Sequence, residues 1–238
     1  MTAFLTCIWL DEREAAHARV FDTYDWHQAA WKCFPSLHDR ESKRGRYIKG
    51  TKPEQQRRMD AENPPAFLTR LDRKDGGFRL FIVSPIAPTR PEWTAPGEWQ
   101  SREIPPEYFG RRRYRFQLRA NPTKKLRAAM ADGTRKKNGR RIPLTTPEEL
   151  IPWIQRKGDA GGFCVHGLEP DADEPCAVSP AHRFYFHREK DGQRGLHAGV
   201  DFTGILEVTD PARFHETFRL GVGSAKAFGF GLLIIAPA

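Results

Sequence analysis

Two short turn sequences, Lys74-Asp75-Gly76-Gly77 and Lys190-Asp191-Gly192-Gln193, each join a pair of strand-like runs. Each hairpin also follows an earlier strand and an amphipathic helix. Asp and Gly tolerate the positive φ angles of a tight hairpin turn, so both pairs of runs are expected to lie antiparallel. In the first half, AFLTCIWL (3–10) has the β-branched and aromatic content of a strand. A helix is expected from about Asp22 or Thr23, either of which suits a cap. Phe21, Tyr24, Trp31 and Phe34 recur at helical spacing and Pro35 ends the helix. AFLTRLDR (66–73) and FRLFIVS (78–84) then flank the first turn. Prolines at 85, 88, 91 and 96 argue against a regular second helix before WQSREI (99–104), which reads as a closing strand.

The second half repeats this plan more completely. YRFQLRAN (114–121) alternates like a half-buried strand, and Thr146-Pro147-Glu148-Glu149 opens a helix through ELIPWIQRK, with Pro152 expected to distort it. RFYFHRE (183–189) and HAGVDFTGILEVTD (197–210) make a long hairpin, PARFHETFRL (211–220) a helix, and Leu232 to Ala236 a final apolar strand. Both halves approximate β-α-β-β-α-β. The expected fold is therefore α+β, two tandem ferredoxin-like (RRM-like) domains spanning 1–106 and 107–238.

Composition narrows the function. No apolar run approaches the roughly 18 to 20 residues needed to span a bilayer, and MTAFLTCIWLDERE has no basic region before its apolar stretch. A cytoplasmic protein with no membrane partner is expected. Cys7, Cys33, Cys164 and Cys176 are scattered and imply no disulfide framework.

The net charge of +9 is concentrated: residues 111 to 141 hold 13 of the 39 Lys and Arg with one acid, Asp132. A second run, Arg40 to Arg58, carries eight basic residues against Glu41 and Glu54. One basic run is as readily a solvated face or an arm, but two with interleaved aromatics fit a polyphosphate partner, because each neutralised phosphate releases counterions. The RNA-binding candidates are Arg111, Arg112, Arg113, Arg115 and Arg119 on or before the strand, Lys124, Lys125 and Arg127 after it, and Arg135, Lys136, Lys137, Arg140 and Arg141 in a Gly- and Asn-containing loop. Strand alternation sends Arg115, Gln117 and Arg119 to one face and Tyr114, Phe116 and Leu118 to the other.

Two segments at opposite ends carry the remaining chemistry. YDWHQAAWKCFP (24–35) sets Tyr24 and His27 three residues apart on one helical face, where both reach one phosphate. On its own such a pair is usually packing at a core edge. GVGSAKAFGFGLLIIAP (221–237) follows a helix and enters a strand, the reverse of a dinucleotide fingerprint, and lacks the Gly-Lys-Ser/Thr ending of a P-loop, so no ATP or NAD cofactor is expected. Gly221, Gly223 and Gly229 would bring backbone N–H groups close to phosphate, with Lys226 adding charge, or would simply form a tight packed turn; the two are compatible. Cys164, His166, Cys176 and His182 have no standard zinc spacing, and no clustered acids suggest another metal, so no metal site is expected.

YDWHQAAWKCFP, FQLRANPTKK, RIPL, IPWIQRK and GVGSAKAFGFGLLIIAP occur in the order found in the CasE type of CRISPR repeat endoribonuclease, a RAMP-superfamily RNA-processing subunit of type I-E Cascade, and the chain resembles that family over most of its length. The resemblance implies two ferredoxin-like domains, a catalytic Tyr24 and His27, binding of the repeat hairpin, metal-independent cleavage at its 3′ base, and retention on the crRNA 3′ hairpin beside other Cascade subunits. The chemistry needs few groups: a 2′-hydroxyl nucleophile held in line and two managed proton transfers, leaving a 2′,3′-cyclic phosphate and a 5′-hydroxyl. The alternative is a catalytically silent hairpin-binding subunit of the same assembly. The stretch from about Leu37 to Pro65 is longer and more basic than the family's usual link.

Overall fold

The computed structural model describes residues 3–35, 67–126, 140–169, 171–188 and 192–238. Strand β1 (Ala3–Asp11) leads into two helices, α1 (Glu12–His17) and α2 (Thr23–Trp31), then β2 (Leu68–Lys74), β3 (Gly77–Ser84) and β4 (Trp99–Ile104). These strands form an antiparallel sheet in the order β2-β3-β1-β4. The β2–β3 turn is the expected two-residue type: Asp75 and Gly76 both have positive φ, 51° and 75°, with Lys74 paired to Gly77.

The second unit contains β5 (Arg113–Ala120), a ribbon of β6 (Thr123–Leu126) and β7 (Arg140–Pro143), helix α3 (Pro147–Gly161), and the short strands β8 (Phe163–Val165) and β9 (Ala177–Val178). It ends with β10 (His182–Arg188), β11 (Gln193–Val208), α4 (Pro211–Leu220) and β12 (Leu233–Pro237). Its main order, β10-β11-β5-β12, repeats that of the first sheet strand for strand, and β8 and β9 extend it along β11. Both sheets therefore follow the ferredoxin-like plan.

Several elements differ from the sequence reading. Helix α1 is added: Asp11 and Glu14 form a capping box, but Ala15 alone is buried on it, so it lacks an apolar rhythm. Phe21 lies before the Asp22 cap and is 75% exposed, outside the core stripe to which its spacing assigned it. Helix α3 continues through Pro152 to Gly161 and stops where Gly162 turns left-handed at φ 76°. Arg140 and Arg141 lie on β7, not in a loop, because Lys125 pairs with Arg141 and Leu126 with Arg140 across the ribbon. Between residues 85 and 98 the proline-rich segment forms only a short 3₁₀ turn, Pro96–Glu98, as its lost N–H donors dictate. Residues Lys190 and Asp191 of the second turn lie outside the described residues.

One apolar cluster packs α1 and α2 on the first sheet through Ile8, Leu10, Trp26, Trp31, Phe34 and Ile82. The other crosses between units: Leu68, Val83 and Ile104 join Phe116, Phe202, Phe214 and Leu233. Leu68 is wholly buried although it sits on an edge strand, because Gly221 of the second unit closes over it. Its truncation removes packing from the seam. Leu68→Ala is expected to destabilise the protein by about 2–5 kcal/mol, as a shifted midpoint in urea unfolding shows.

Candidate active site and nucleic-acid surface

Helix α2 begins at Asp22, whose extended backbone and carboxylate cap it. Asp22 Oδ1 accepts the N–H groups of Tyr24 and Asp25 at 2.8 and 3.0 Å. Asp25 reciprocates, its Oδ2 accepting from Phe21 and Asp22 at 3.0 and 3.2 Å. The second oxygen of Asp22 reaches the other unit and accepts the His187 N–H of β10 at 2.6 Å. One carboxylate thus starts the helix and ties it to the second sheet, a link that sequence spacing did not reveal.

Besides the first sheet, β10 and the 3₁₀ turn Lys226–Phe228 within the glycine-rich segment pack against α2. The rings of Tyr24 and Phe228 stand 6.2 Å apart. Helix α2, which carries Tyr24 and His27, and the Lys226 turn, from opposite ends of the chain, are therefore brought together, with Tyr24 at the contact. Gly221 and Gly231 let the two arms of the segment close, with the Val222 N–H donating to Gly231 O at 2.8 Å and the Gly231 N–H to Arg119 O at 2.7 Å. A Cβ on Gly231 would fall 2.6 Å from Val222 O. Gly223 turns at φ 86° against Trp153, whereas at Gly229, φ 80°, the nearest atom to an added Cβ is 3.9 Å away. Beside these elements a cleft of about 400 Å³ opens between the units, lined by Phe21, Trp26, Phe78, Arg119, Phe184 and Phe228 among others.

His27 lies in an aromatic surround. Its Nε2 accepts from Trp31 Nε1 at 3.2 Å, and its ring is 5.3 Å from that of Phe67. Burial of the imidazole pushes its pKa down to about 4. Trp31 and Phe67 were not singled out from sequence as site residues, although the i, i+4 spacing of His27 and Trp31 signals a shared face.

The basic residues divide. Arg111, Arg112, Arg113 and Arg115 are exposed around the start of β5, with Arg112 paired to Glu207 at 2.6 Å. Lys124, Lys125 and Arg141 are exposed on the β6–β7 ribbon, and Lys124 meets Glu149 at 2.5 Å. Arg119 is different: its guanidinium holds both Asp201 oxygens at 2.9 and 3.0 Å, the Leu71 carbonyl at 2.5 Å and Asp72 at 3.3 Å. Its side chain is 17% exposed, so it is committed to joining the units. Arg127, Arg135, Lys136, Lys137 and the Arg40–Arg58 run lie outside the described residues. Among the described residues no cluster of three or more His, Cys, Asp or Glu is placed to hold a metal, and no helix is long and apolar enough to cross a membrane.

A family model described as CRISPR associated protein matches residues 3–237. The chain belongs to this family, in its Cse3/CasE endoribonuclease branch. It is 34% identical over 238 residues to the CRISPR system Cascade subunit CasE of Escherichia coli K12, covering 97% of this chain and 100% of that protein. It is 36% identical over 158 residues to the CRISPR-associated endoribonuclease Cse3 of Thermus thermophilus, covering 63% of this chain and 70% of that one. Among solved structures, Cse3 bound to a 19-nucleotide RNA superposes with a TM-score of 0.68 at 26% identity over 100% of both chains. Thermus thermophilus Cse3 on an RNA representing a pre-cleavage complex gives 0.65, also at 26% identity.

Two outcomes test this geometry. Asp22→Ala removes the cap and the inter-unit acceptor together, and is expected to cost at least the cap's value of about 0.5–2 kcal/mol in chemical denaturation. The depressed histidine also makes stability fall with acid. The unfolded ring binds a proton near pH 6.5, which the folded ring does not take until about 4. His27 therefore contributes fully above about pH 6.5 and progressively loses that contribution toward pH 4. Thermal melts of wild type and His27→Gln should show wild type losing stability relative to the variant across that window.

Proposed function

We propose that this Cse3/CasE-type protein processes CRISPR precursor RNA as a subunit of a type I-E Cascade complex. It binds the repeat hairpin, cuts at the hairpin's 3′ base and keeps the mature crRNA. The observation that carries this reading is the meeting of Tyr24 and His27 on α2 with the Lys226 turn, in a chain related over its whole length to a Cascade subunit.

Catalysis follows from positioning and proton transfer. The RNA supplies its own nucleophile, the 2′-hydroxyl next to the scissile phosphate, so the protein's tasks are in-line orientation, removal of the 2′ proton and protonation of the 5′ leaving oxygen. His27 is neutral near pH 7 and enters as the base; Tyr24 is its partner on the same helical face. Lys226 and the backbone of the glycine turn offer positive charge and N–H groups for the phosphate. The products are a 2′,3′-cyclic phosphate and a 5′-hydroxyl. The exposed arginines around the start of β5 and the Lys124, Lys125 and Arg141 ribbon contribute phosphate contacts, which set affinity and register more than sequence choice.

One observation favours a second reading, a silent hairpin-binding subunit: the acceptor nitrogen of His27 is already occupied by Trp31. The two readings separate in one assay, cleavage of a repeat hairpin RNA in EDTA by wild type and His27→Ala with binding followed on the same samples. The expected result is cleavage by wild type and a loss of about 10² or more in rate with binding retained in the variant. Binding without cleavage by either protein establishes the silent subunit.

A further inference from the structure

The contact between His27 and Trp31 is more than packing, and the role inferred for it rests on the reading of His27 as a catalytic base. Trp31 lies one helical turn beyond His27, and its indole N–H points at Nε2 across 3.2 Å. The two rings meet edge to face, 83° between planes, and Phe67 packs on both, 5.3 Å from the imidazole and 4.7 Å from the indole. Trp31 is 6% exposed and Phe67 5%, so the indole is held in place. An indole nitrogen only donates. Nε2 must therefore carry the lone pair, and the neutral ring carries its proton on Nδ1, which is buried without a hydrogen-bond partner among the described residues.

In this arrangement His27 neither accepts nor releases a proton. Its lone pair is engaged, its remaining proton belongs to a neutral imidazole, which is too weak an acid to protonate an alkoxide leaving group, and an imidazolium would have no lone pair for the indole. We propose that Trp31 is a positioning residue that holds His27 in the neutral Nδ1–H tautomer, its Nε2 bonded to the indole until the RNA 2′-hydroxyl replaces the indole as donor. The exchange substitutes an O–H donor for an N–H donor at one lone pair, so Nε2 remains hydrogen-bonded throughout. The 2′-hydroxyl proton then passes to Nε2 as the 2′-oxygen bonds phosphorus and the bond from phosphorus to the 5′-oxygen breaks. That leaving oxygen takes the Tyr24 proton. Solvent reprotonates Tyr24 and removes the proton from the imidazolium, restoring the starting state.

Its own helix carries Tyr24 and Asp25, and the elements packed against that helix carry Arg70, Asp72, Arg73 and Lys74 on β2, His182, Arg183, Tyr185, His187 and Arg188 on β10, and Lys226 on the 3₁₀ turn. Burial, not one of these charges, is what depresses the imidazole. Donation from the indole stabilises the same neutral form. Loss of the donor thus raises the histidine's pKa and releases the tautomer that the indole holds.

The test pairs a spectroscopic signature with kinetics. Nitrogen-15 histidine spectra of RNA-free wild type near neutral pH are expected to show His27 as the Nδ1–H tautomer. Trp31→Phe keeps an aromatic ring against Phe67 without the donor, and is expected to shift His27 toward the Nε2–H tautomer. Single-turnover cleavage of saturating hairpin RNA by this variant should be about 2- to 10-fold slower, the worth of one net hydrogen bond holding the base-competent tautomer, with the acid limb of its pH profile moved to higher pH. A wild-type Nε2–H tautomer overturns the proposal, and it does so even if the variant fails to fold. An unchanged or faster rate, or an unmoved acid limb, overturns it as well. Undiminished cleavage by His27→Ala overturns the catalytic reading beneath it, and with it the exchange, while the tautomer result still reports on the indole contact.

Discussion

The apolar seam between the two sheets is the constraint on which the candidate site depends. Leu68, Val83 and Ile104 belong by sequence to the first sheet, yet they pack into the cluster built around Phe116, Phe202 and Leu233 of the second. Burying a Leu, Val or Ile side chain contributes about 1.5–3 kcal/mol, so three residues at the seam outweigh any single polar link across it. With the sheets joined there, the loop before β12 comes to lie beside α2. The Lys226 turn meets Tyr24 because of where the seam holds the two units.

Polar contacts refine what the seam establishes. Arg119 gathers Asp201, Asp72 and the Leu71 carbonyl around one guanidinium, bridging β5 to β2. A planar fork with five donors suits this task, because paired carboxylates and a carbonyl satisfy it without leaving a buried charge alone. Asp22 plays the complementary part as an acceptor, serving two N–H groups of its own helix and one from β10. Both residues spend their polar groups within the protein. The cations left exposed include those around the start of β5 and along the β6–β7 ribbon, the surface proposed to meet RNA.

His27 shows how one environment acts on a catalytic candidate in two ways. Aromatic burial keeps the imidazole neutral at physiological pH, the form a base requires, but also surrounds it with a donor that occupies its lone pair. The proposed base is engaged. In that reading proton transfer depends on the RNA offering a hydroxyl at the same nitrogen. A pair of side chains one turn apart on a helix is enough to create that dependence.

The repeated strand order was legible because local chemistry determined it: alternation in residues 114–121, Asp-Gly at 75–76, and proline at Pro147 each act within a few residues. Helix α1 was not legible, since one buried alanine gives no apolar rhythm. The β6–β7 ribbon escaped because its pairing partners are separated by a long basic stretch whose composition resembles a loop. Tyr24 and His27 could be placed on one helical face from spacing alone. The meeting of Tyr24 with the Lys226 turn, the withdrawal of Arg119 into the joint between sheets and the double duty of Asp22 are long-range facts, decided by how two similar sheets pack. A linear sequence encodes which side chains point together along a strand or helix; only burial between units decides which of them remain available to RNA.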